Sequence, residues 1–370
     1  MYILRKIASR IIAICKFNRI IYKCSRSKKI IYDKKMVNEA RAFLERHSPN
    51  PQTSCICKNT IDPQVDIHII IPAYNVERYI EDCMNSAILN ATKKYSFLIT
   101  VINDGSTDET RNLLRRYEEH PCVEVITQTN KGFSGARNTG LSYIKGKYVL
   151  FVDSDDMMDW HGVEKMMDAA IETGADIVSG SYTYIFANGI KFGFKKSDTG
   201  KLDTTNLYGY PWAKLYRAEL FSDVCFPEKY WFEDSIFAQI IFPRISFAYG
   251  ISENTYYYRN HHLGITNQSI TKAKSIDSYW ITEQLFKDSL KYGIEITEKY
   301  YNYILKMVKM TLRRNRFQPV EVQKGIFILF CDLIDQHFSK FHTNDDDCKQ
   351  IERLIKARDL GKCISYSKWI

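Results

Sequence analysis

Between residues 65 and 173 the chain repeats one pattern four times: a short β-forming run followed by a stretch with helical character. Residues 67–71, 97–102, 123–127 and 148–152 are largely apolar and have the length of buried strands. Helices are expected over residues 76–90, 108–120, 135–144 and 162–173. Four such steps in so short a span predict an α/β core with a mixed, mostly parallel central sheet flanked by helices. With 370 residues, 45% of them hydrophobic, the chain carries enough apolar surface to bury it.

Ligands of open α/β sheets bind beyond the carboxyl ends of the strands, so the strand exits are where chemistry is expected. The first strand leads into Pro72-Ala73-Tyr74-Asn75 and the second into Asn103-Asp104-Gly105-Ser106-Thr107-Asp108. The fourth leads into Asp153-Ser154-Asp155-Asp156, three carboxylates in four residues after a wholly apolar run. Such charges repel one another unless a cation compensates, and hard oxygen donors suit Mg²⁺ or Mn²⁺. A solvated turn capping the next helix is the competing reading.

Two further segments carry chemistry. In Gly132-Phe133-Ser134-Gly135-Ala136-Arg137-Asn138 the small residues let backbone approach a ligand. Arg137 there either serves a phosphate or pairs with Asp153 or Asp155. Glu233-Asp234 sits between Tyr230-Trp231-Phe232 and Ile236-Phe237, apolar surroundings that raise a carboxylate pKa towards the range of a general base. The alternative for Asp234 is a cap on a helix over residues 235–242.

Taken in order, Ile71-Pro72-Ala73-Tyr74-Asn75, Asn103 to Asp108, Asn130 to Asn138 and Phe151 to Asp156 resemble the family 2 glycosyltransferases of bacterial surface polysaccharide synthesis, which have the GT-A fold. The resemblance spans about residues 65–266. It implies an inverting, metal-dependent transfer from a UDP-sugar to an acceptor hydroxyl of a growing surface glycan (capsule, O-antigen or lipooligosaccharide), free or lipid-linked. By the same resemblance Pro72, Tyr74, Asn75, Asp104, Gly132, Arg137, Asp153 and Ser154 bind the nucleotide sugar, with Asp104 accepting from the base. Asp155, aided by Asp153 and Asp156, would hold Mn²⁺ or Mg²⁺. Asp234 beside Glu233 would be the catalytic base, and Trp212 with Lys214 would face the acceptor; a core aromatic is the other reading of Trp212. Asn103 departs from the pattern, since many relatives carry Asp there. His261 and His262 resemble a loop that gives some relatives a histidine to the metal or diphosphate; a surface loop pair is the other reading.

The rest of the chain sets the context. Residues 181–194 read as a hairpin turning at Asn188-Gly189, residues 200–211 as irregular, and residues 279–292, 297–317, 320–338 and 346–359 as helices. The expected domains are a basic amphipathic segment (1–48), a linker (49–64), a GT-A catalytic domain (65–270) and a C-terminal helical subdomain (271–370). Residues 1–35 hold eleven Lys or Arg against Asp33 alone, which outweighs the net +9 of the whole chain and leaves the remainder near neutral. Ile3, Leu4, Ile7, Ile11, Ile14 and Ile21 share a helical stripe opposite Lys16, Arg19, Lys23 and Arg26. Such a segment suits the surface of an anionic inner membrane, or docks on the protein's own body.

The segment is too interrupted by charge to span a bilayer or to serve as a signal peptide. Ten scattered cysteines suit a reducing compartment, hence a cytoplasmic, peripherally bound protein; the Cys55-Ile56-Cys57 pair reads as solvated linker. A near-neutral domain without a basic stripe argues against nucleic acid, and no GxGxxG follows the first strand, which argues against a dehydrogenase. The alternatives are a nucleotidyltransferase acting on sugar phosphates, which lacks its glycine-rich triphosphate loop here, and a non-catalytic membrane-associated assembly factor.

Overall fold

A computed structural model describes residues 22–89, 91–204, 207–260 and 271–369. The chain divides into two compact units, Thr53–Gly264 with Gln284–Ile294, and Met1–Gln52 with Ile265–Glu283 and Glu295–Ile370.

The first unit is α/β. Strands β1 (Thr60–Ala73), β2 (Phe97–Asn103), β3 (Val123–Thr127) and β4 (Tyr143–Phe151) lie in the order β3-β2-β1-β4, all parallel. Ile67, Ile69, Ile70 and Ile71 are all fully buried, because a strand covered on both faces has no polar side to alternate with. The sheet continues through β5 (Met157–Met158), β6 (Ile177–Phe186), β7 (Lys191–Lys195), β8 (Gly200–Leu202), β9 (Lys214–Arg217) and β10 (Ala248–Asn260). β9 runs antiparallel between β4 and β6, and β10 lies parallel to β6, so the sheet is mixed and its parallel half is the one expected from the four repeats. β6 and β7 form the expected hairpin, with Gly189 at φ +82° in the turn.

Several boundaries differ from expectation for one reason: strand pairing. The helix expected over 135–144 spans Gly132–Leu141, and Tyr143 already pairs with Thr60. β1 reaches back to Thr60, so residues 60–64, expected in the linker, are strand. Pairing of these two segments overrides the local propensity of each. Cys55 is likewise not in a solvated linker: it is fully buried, its N–H donating to Asp288 Oδ2 at 3.0 Å and its carbonyl accepting from Cys225 N at 2.9 Å. The helices expected over 76–90 and 108–120 shorten to Ile80–Ile88 and to Thr110–Leu114 followed by a 3₁₀ turn, Arg115–Tyr117. β8 falls in the stretch expected to be irregular, and β9 and β10 are strands beyond the four expected repeats.

The second unit is helical, with Lys34–His47, Glu298–Arg314, Val320–His337, Asp346–Lys356 and Leu360–Trp369. Trp280 Nε1 donates to Ser48 O at 2.9 Å, and Arg41 pairs with Glu283, tying the first helix to the start of Asp277–Lys291. The last helix was not expected. Asp359 starts it by accepting from Lys362 N at 3.0 Å, while also accepting from Lys28 N at 3.0 Å and Ser27 Oγ at 2.6 Å. Residues 27–30 therefore pair with the chain's C-terminal part instead of continuing an amphipathic helix. Most of that basic segment, and both His261 and His262, lie outside the described residues. Among the described residues no helix is long and apolar enough to cross a membrane.

The helix Trp160–Thr173 rests on β10 where it has no side chain to keep them apart: a Cβ on Gly162 would sit 2.0 Å from Asn254 O. Gly162→Ala is expected to destabilise by about 2–3 kcal/mol. Gly174→Ala, at the helix C-cap with φ +70° and open space around it, should cost only about 1 kcal/mol. Denaturant midpoints of the two variants check the order.

Candidate active site

The carboxyl ends of β1, β2 and β4 meet at one edge of the sheet. Asp104, 2% exposed, leaves β2 with its N–H donating to Ala73 O of β1 at 2.8 Å. Its Oδ1 accepts from Gln128 Nε2 at 2.7 Å and from Lys131 N at 2.8 Å. Its Oδ2 is buried and has no hydrogen-bond partner among the described residues. Gln128 is fixed in turn by Thr139 Oγ1, which donates to Gln128 Oε1 at 2.7 Å. One carboxylate oxygen thus anchors the side chain and the other is left to accept. Gly105, at φ +73°, turns the chain so closely that a Cβ would lie 2.9 Å from Asn130 N.

The neighbouring exits are stitched together. Pro72 sits opposite Ile102 in the β1/β2 register, and Tyr74 is exposed beyond the strand end. Asn75 takes the left-handed conformation (φ +52°); its N–H donates to Ser106 Oγ at 3.1 Å and its Oδ1 accepts from Thr107 N at 2.8 Å. Asn103 is buried, with Oδ1 accepting from Ser106 N at 3.1 Å. An amide serves that turn as well as a carboxylate would, so the departure at Asn103 leaves the carboxylate at Asp104 in place. Gly132, φ +76°, opens the helix that carries Arg137.

Arg137 is the centre of the site. Its Nη2 donates to Asp153 Oδ1 at 2.7 Å and its Nη1 to Glu233 Oε1 at 2.6 Å, with Phe226 stacked 5.4 Å from the guanidinium. Nε is buried without a partner among the described residues. Of the two readings left open for Arg137, the ion pair to Asp153 is present, and it extends to Glu233. Burial pushes the Glu233 carboxyl up to about 7, against the opposing pull of Arg137 and with the added repulsion of Asp234. Burial also raises Asp153, again opposed by Arg137 and reinforced by Asp155.

The acidic turn after β4 is held from behind. Tyr256 Oη donates to Asp156 Oδ2 at 2.8 Å and accepts from Asp153 N at 3.0 Å. Arg259 N donates to Asp156 Oδ1 at 2.6 Å, Nε to Asp155 O at 2.9 Å, and Nη2 to Asp82 Oδ2 at 2.9 Å. Asp156, expected around a cation, therefore has both oxygens occupied inside the protein, and burial drives its pKa well up. Ser154 is buried in the same turn, while Asp153 and Asp155 are half-buried. Among the described residues no three His, Cys, Asp or Glu groups are placed to hold a metal by themselves. Tyr256 and Arg259 come from β10, and only their tertiary position reveals their part.

Glu233 and Asp234 follow two non-glycine residues in the left-handed region, Lys229 (φ +69°) and Phe232 (φ +65°), and precede a helix containing a π turn, Phe237–Ile241. Strain and π turns of this kind concentrate at functional sites. Asp234 is half-buried, so it keeps access that Glu233, locked to Arg137, lacks. Trp212 and Lys214 are not surface groups. Trp212 is 3% exposed and stacks between Tyr210 (4.8 Å) and Tyr256 (4.7 Å). Lys214 is fully buried, its Nζ donating to Tyr210 O at 2.7 Å and lying 3.4 Å from the centre of the Tyr208 ring. Burial drives the Lys214 pKa well down, opposed by the charge of Asp234. The ring of that stack which faces solvent is Tyr210, 45% exposed, which sequence reasoning passed over.

The mixed sheet, parallel through β3-β2-β1-β4 and flanked by helices, has the architecture of the GT-A fold. Residues 68–225 match the family model described as "Glycosyl transferase family 2". The α/β unit belongs to glycosyltransferase family 2. The glycosyltransferase GlyA of Streptococcus pneumoniae serotype 4 is 32% identical over 212 residues, covering 52% of this chain and 30% of that protein. GlyG of the same organism is 25% identical over 282 residues, covering 70% and 93%.

The poly(ribitol-phosphate) beta-N-acetylglucosaminyltransferase TarS of Staphylococcus aureus is 30% identical over 242 residues, covering 62% and 42%. The chain thus spans less than half the length of GlyA and of TarS. A crystal structure of TarS residues 1–349 in complex with UDP-GlcNAc superposes with a TM-score of 0.52 at 18% identity, covering 81% of this chain and 89% of that one, a likeness of fold.

Because the folded protein holds the Glu233 proton up to about 7 while an ordinary glutamate gives it up near 4.5, the native state binds the extra proton between those values. Its contribution to stability is complete below the lower pKa and is lost as pH rises through the upper one, by about 3 kcal/mol. Urea midpoints at acid and mildly alkaline pH should fall less for Glu233→Gln than for the unmodified protein.

Proposed function

We propose that this chain transfers a sugar from a UDP-sugar to an acceptor hydroxyl of a surface glycan, with inversion at the anomeric carbon. The carrying observation is the unpartnered, buried Oδ2 of Asp104. A buried acceptor without a donor is costly, and the imide N–H of a uracil ring is the donor it lacks. The reading draws further support from the family and from TarS, whose crystal structure is a complex with UDP-GlcNAc.

The diphosphate would lie along the acidic turn. Asp153 and Asp155 fit a Mg²⁺ or Mn²⁺ ion in donor chemistry, since such ions take one or two carboxylates and complete their shell with phosphate and water oxygens. When bound, the ion would offset the negative charge of the departing diphosphate. The chain's own residues do the rest. Arg137 fixes Asp153, and Tyr256 and Arg259 fix the turn, so the carboxylates keep their positions as the donor binds.

Asp234 is the base. It takes the proton from the acceptor hydroxyl, whose oxygen forms the bond to the anomeric carbon as the bond to the β-phosphate oxygen breaks and UDP leaves with the electron pair. One displacement inverts the centre, so an α-linked donor gives a β-linked product, in keeping with the "beta" in the name of TarS. Glu233, held by Arg137, sets the position of Asp234 through the turn they share.

Two measurements test this. Asp104→Ala should weaken UDP binding by about 10- to 100-fold in calorimetry, the worth of a charge-assisted hydrogen bond; unchanged affinity removes the base contact. Asp234→Asn should abolish UDP release from a UDP-sugar and acceptor mixture, by about three orders of magnitude or more, while UDP affinity stays within about threefold. Retained turnover in that variant would unseat Asp234.

A further inference from the structure

The β6–β7 hairpin leaves a cluster of apolar side chains in solvent. Phe186 is 47% exposed, Ile190 59%, Phe192 45% and Phe194 54%, with Phe186 and Phe192 stacked 4.2 Å apart. A contiguous patch of large apolar residues marks a surface meant for a partner. Lys191, Lys195 and Lys196 are exposed among them, and residues 186–196 contain no acid. Phenylalanine and isoleucine offer no hydrogen bond to a sugar or a peptide backbone. Aromatic and aliphatic tips ringed by lysines are instead what an anionic lipid interface accepts, the rings entering the headgroup boundary and the ammonium groups meeting phosphates.

The position of the hairpin ties this surface to the site. β4 and β6 are both antiparallel to β9, so they run the same way and end at the same edge of the sheet. Arg259 joins the two ends: its Nη1 donates to Ala187 O at 2.9 Å in the hairpin, and its Nε donates to Asp155 O at 2.9 Å in the acidic turn. Lys191 lies 5.0 Å from the ring of Tyr257, whose hydroxyl donates to Asp159 Oδ2 at 3.0 Å just beyond that turn.

We infer that the Phe186–Phe194 hairpin is a membrane-contact element that seats its tip in an anionic bilayer surface beside the catalytic edge, so that the acceptor glycan is one carried on lipid. The identity of the acceptor rests on the proposed transfer reaction; insertion of the hairpin does not. This contact is separate from the basic segment at residues 1–35, and the experiment must tell the two apart.

A fluorescent reporter in the hairpin does so. The full-length chain with Phe194→Trp is mixed with vesicles of phosphatidylcholine and about one third phosphatidylglycerol, with and without brominated acyl chains. The emission that this variant adds to the native tryptophans is expected to fall by about half with brominated chains and to shift to the blue. Lys191→Glu with Lys195→Glu, added to this variant, should lower that quenchable signal about tenfold at equal lipid. If the chain pellets with vesicles but the added emission is neither quenched nor shifted, the hairpin is not the contact and the inference falls. It falls equally if a soluble oligosaccharide, and not lipid, perturbs the added emission, since the face would then be a glycan platform. Phe192→Ser with Phe194→Ser should retain UDP binding within about twofold, which separates lost insertion from a lost fold. Because quenching needs no turnover, absence of UDP release in the unmodified chain would overturn the transfer reading and leave this one standing.

Discussion

A single guanidinium holds three parts of the candidate site in register. Arg137, on the helix after β3, donates to Asp153 at the end of β4 and to Glu233 in the loop before the π turn, with hardly any solvent around it. A buried arginine paired to two acids is not a strong source of stability, because desolvation offsets much of the attraction. What it supplies is placement: removing either acid would leave a buried charge without its partner, so the helix, the strand end and the loop must arrive together. The raised Glu233 carboxyl is the other side of that arrangement, since one cation shared by two buried acids neutralises neither completely.

Around this centre the sequence's acidic turn acquires unequal members. Asp156 turns inward to Tyr256 and the Arg259 backbone, while Asp153 pairs with Arg137 and Asp153 and Asp155 both stay half-buried. Arg259 then links the turn to the β6–β7 hairpin, and Tyr256 links it to the Trp212 stack that ends at Tyr210. The acidic turn, the hairpin and the Trp212 stack are therefore all tied to β10.

Much of the parallel half of the sheet was legible in the chain because its signals are local. Apolar runs give β1 to β4, and the residues that follow each run are carried to one edge by the parallel order alone. Asp104 could be singled out for the same reason. The surroundings of Trp212 and Lys214 were not legible in this way. An aromatic at Trp212 reads the same in the chain whether it stacks on a sugar or on Tyr256, and an acceptor-facing Lys214 was the reading to expect because lysines seldom lie fully buried.

The amino-acid sequence by itself determined the α/β class, the four parallel strands, the turn chemistry at Asp104-Gly105 and the family, since each follows from patterns a few residues long. Tertiary structure alone decided that β1 reaches back to Thr60, that Asp156 is a brace while Asp153 and Asp155 stay half-buried, that Arg137 reaches Glu233 ninety-six residues away, and that Tyr210 is the exposed ring of its stack. Each depends on which distant segment arrives beside it, by backbone pairing at Thr60 and by side-chain contact at the other three. β10, which supplies Tyr256 and Arg259 to Asp156, carries no local signature of that role.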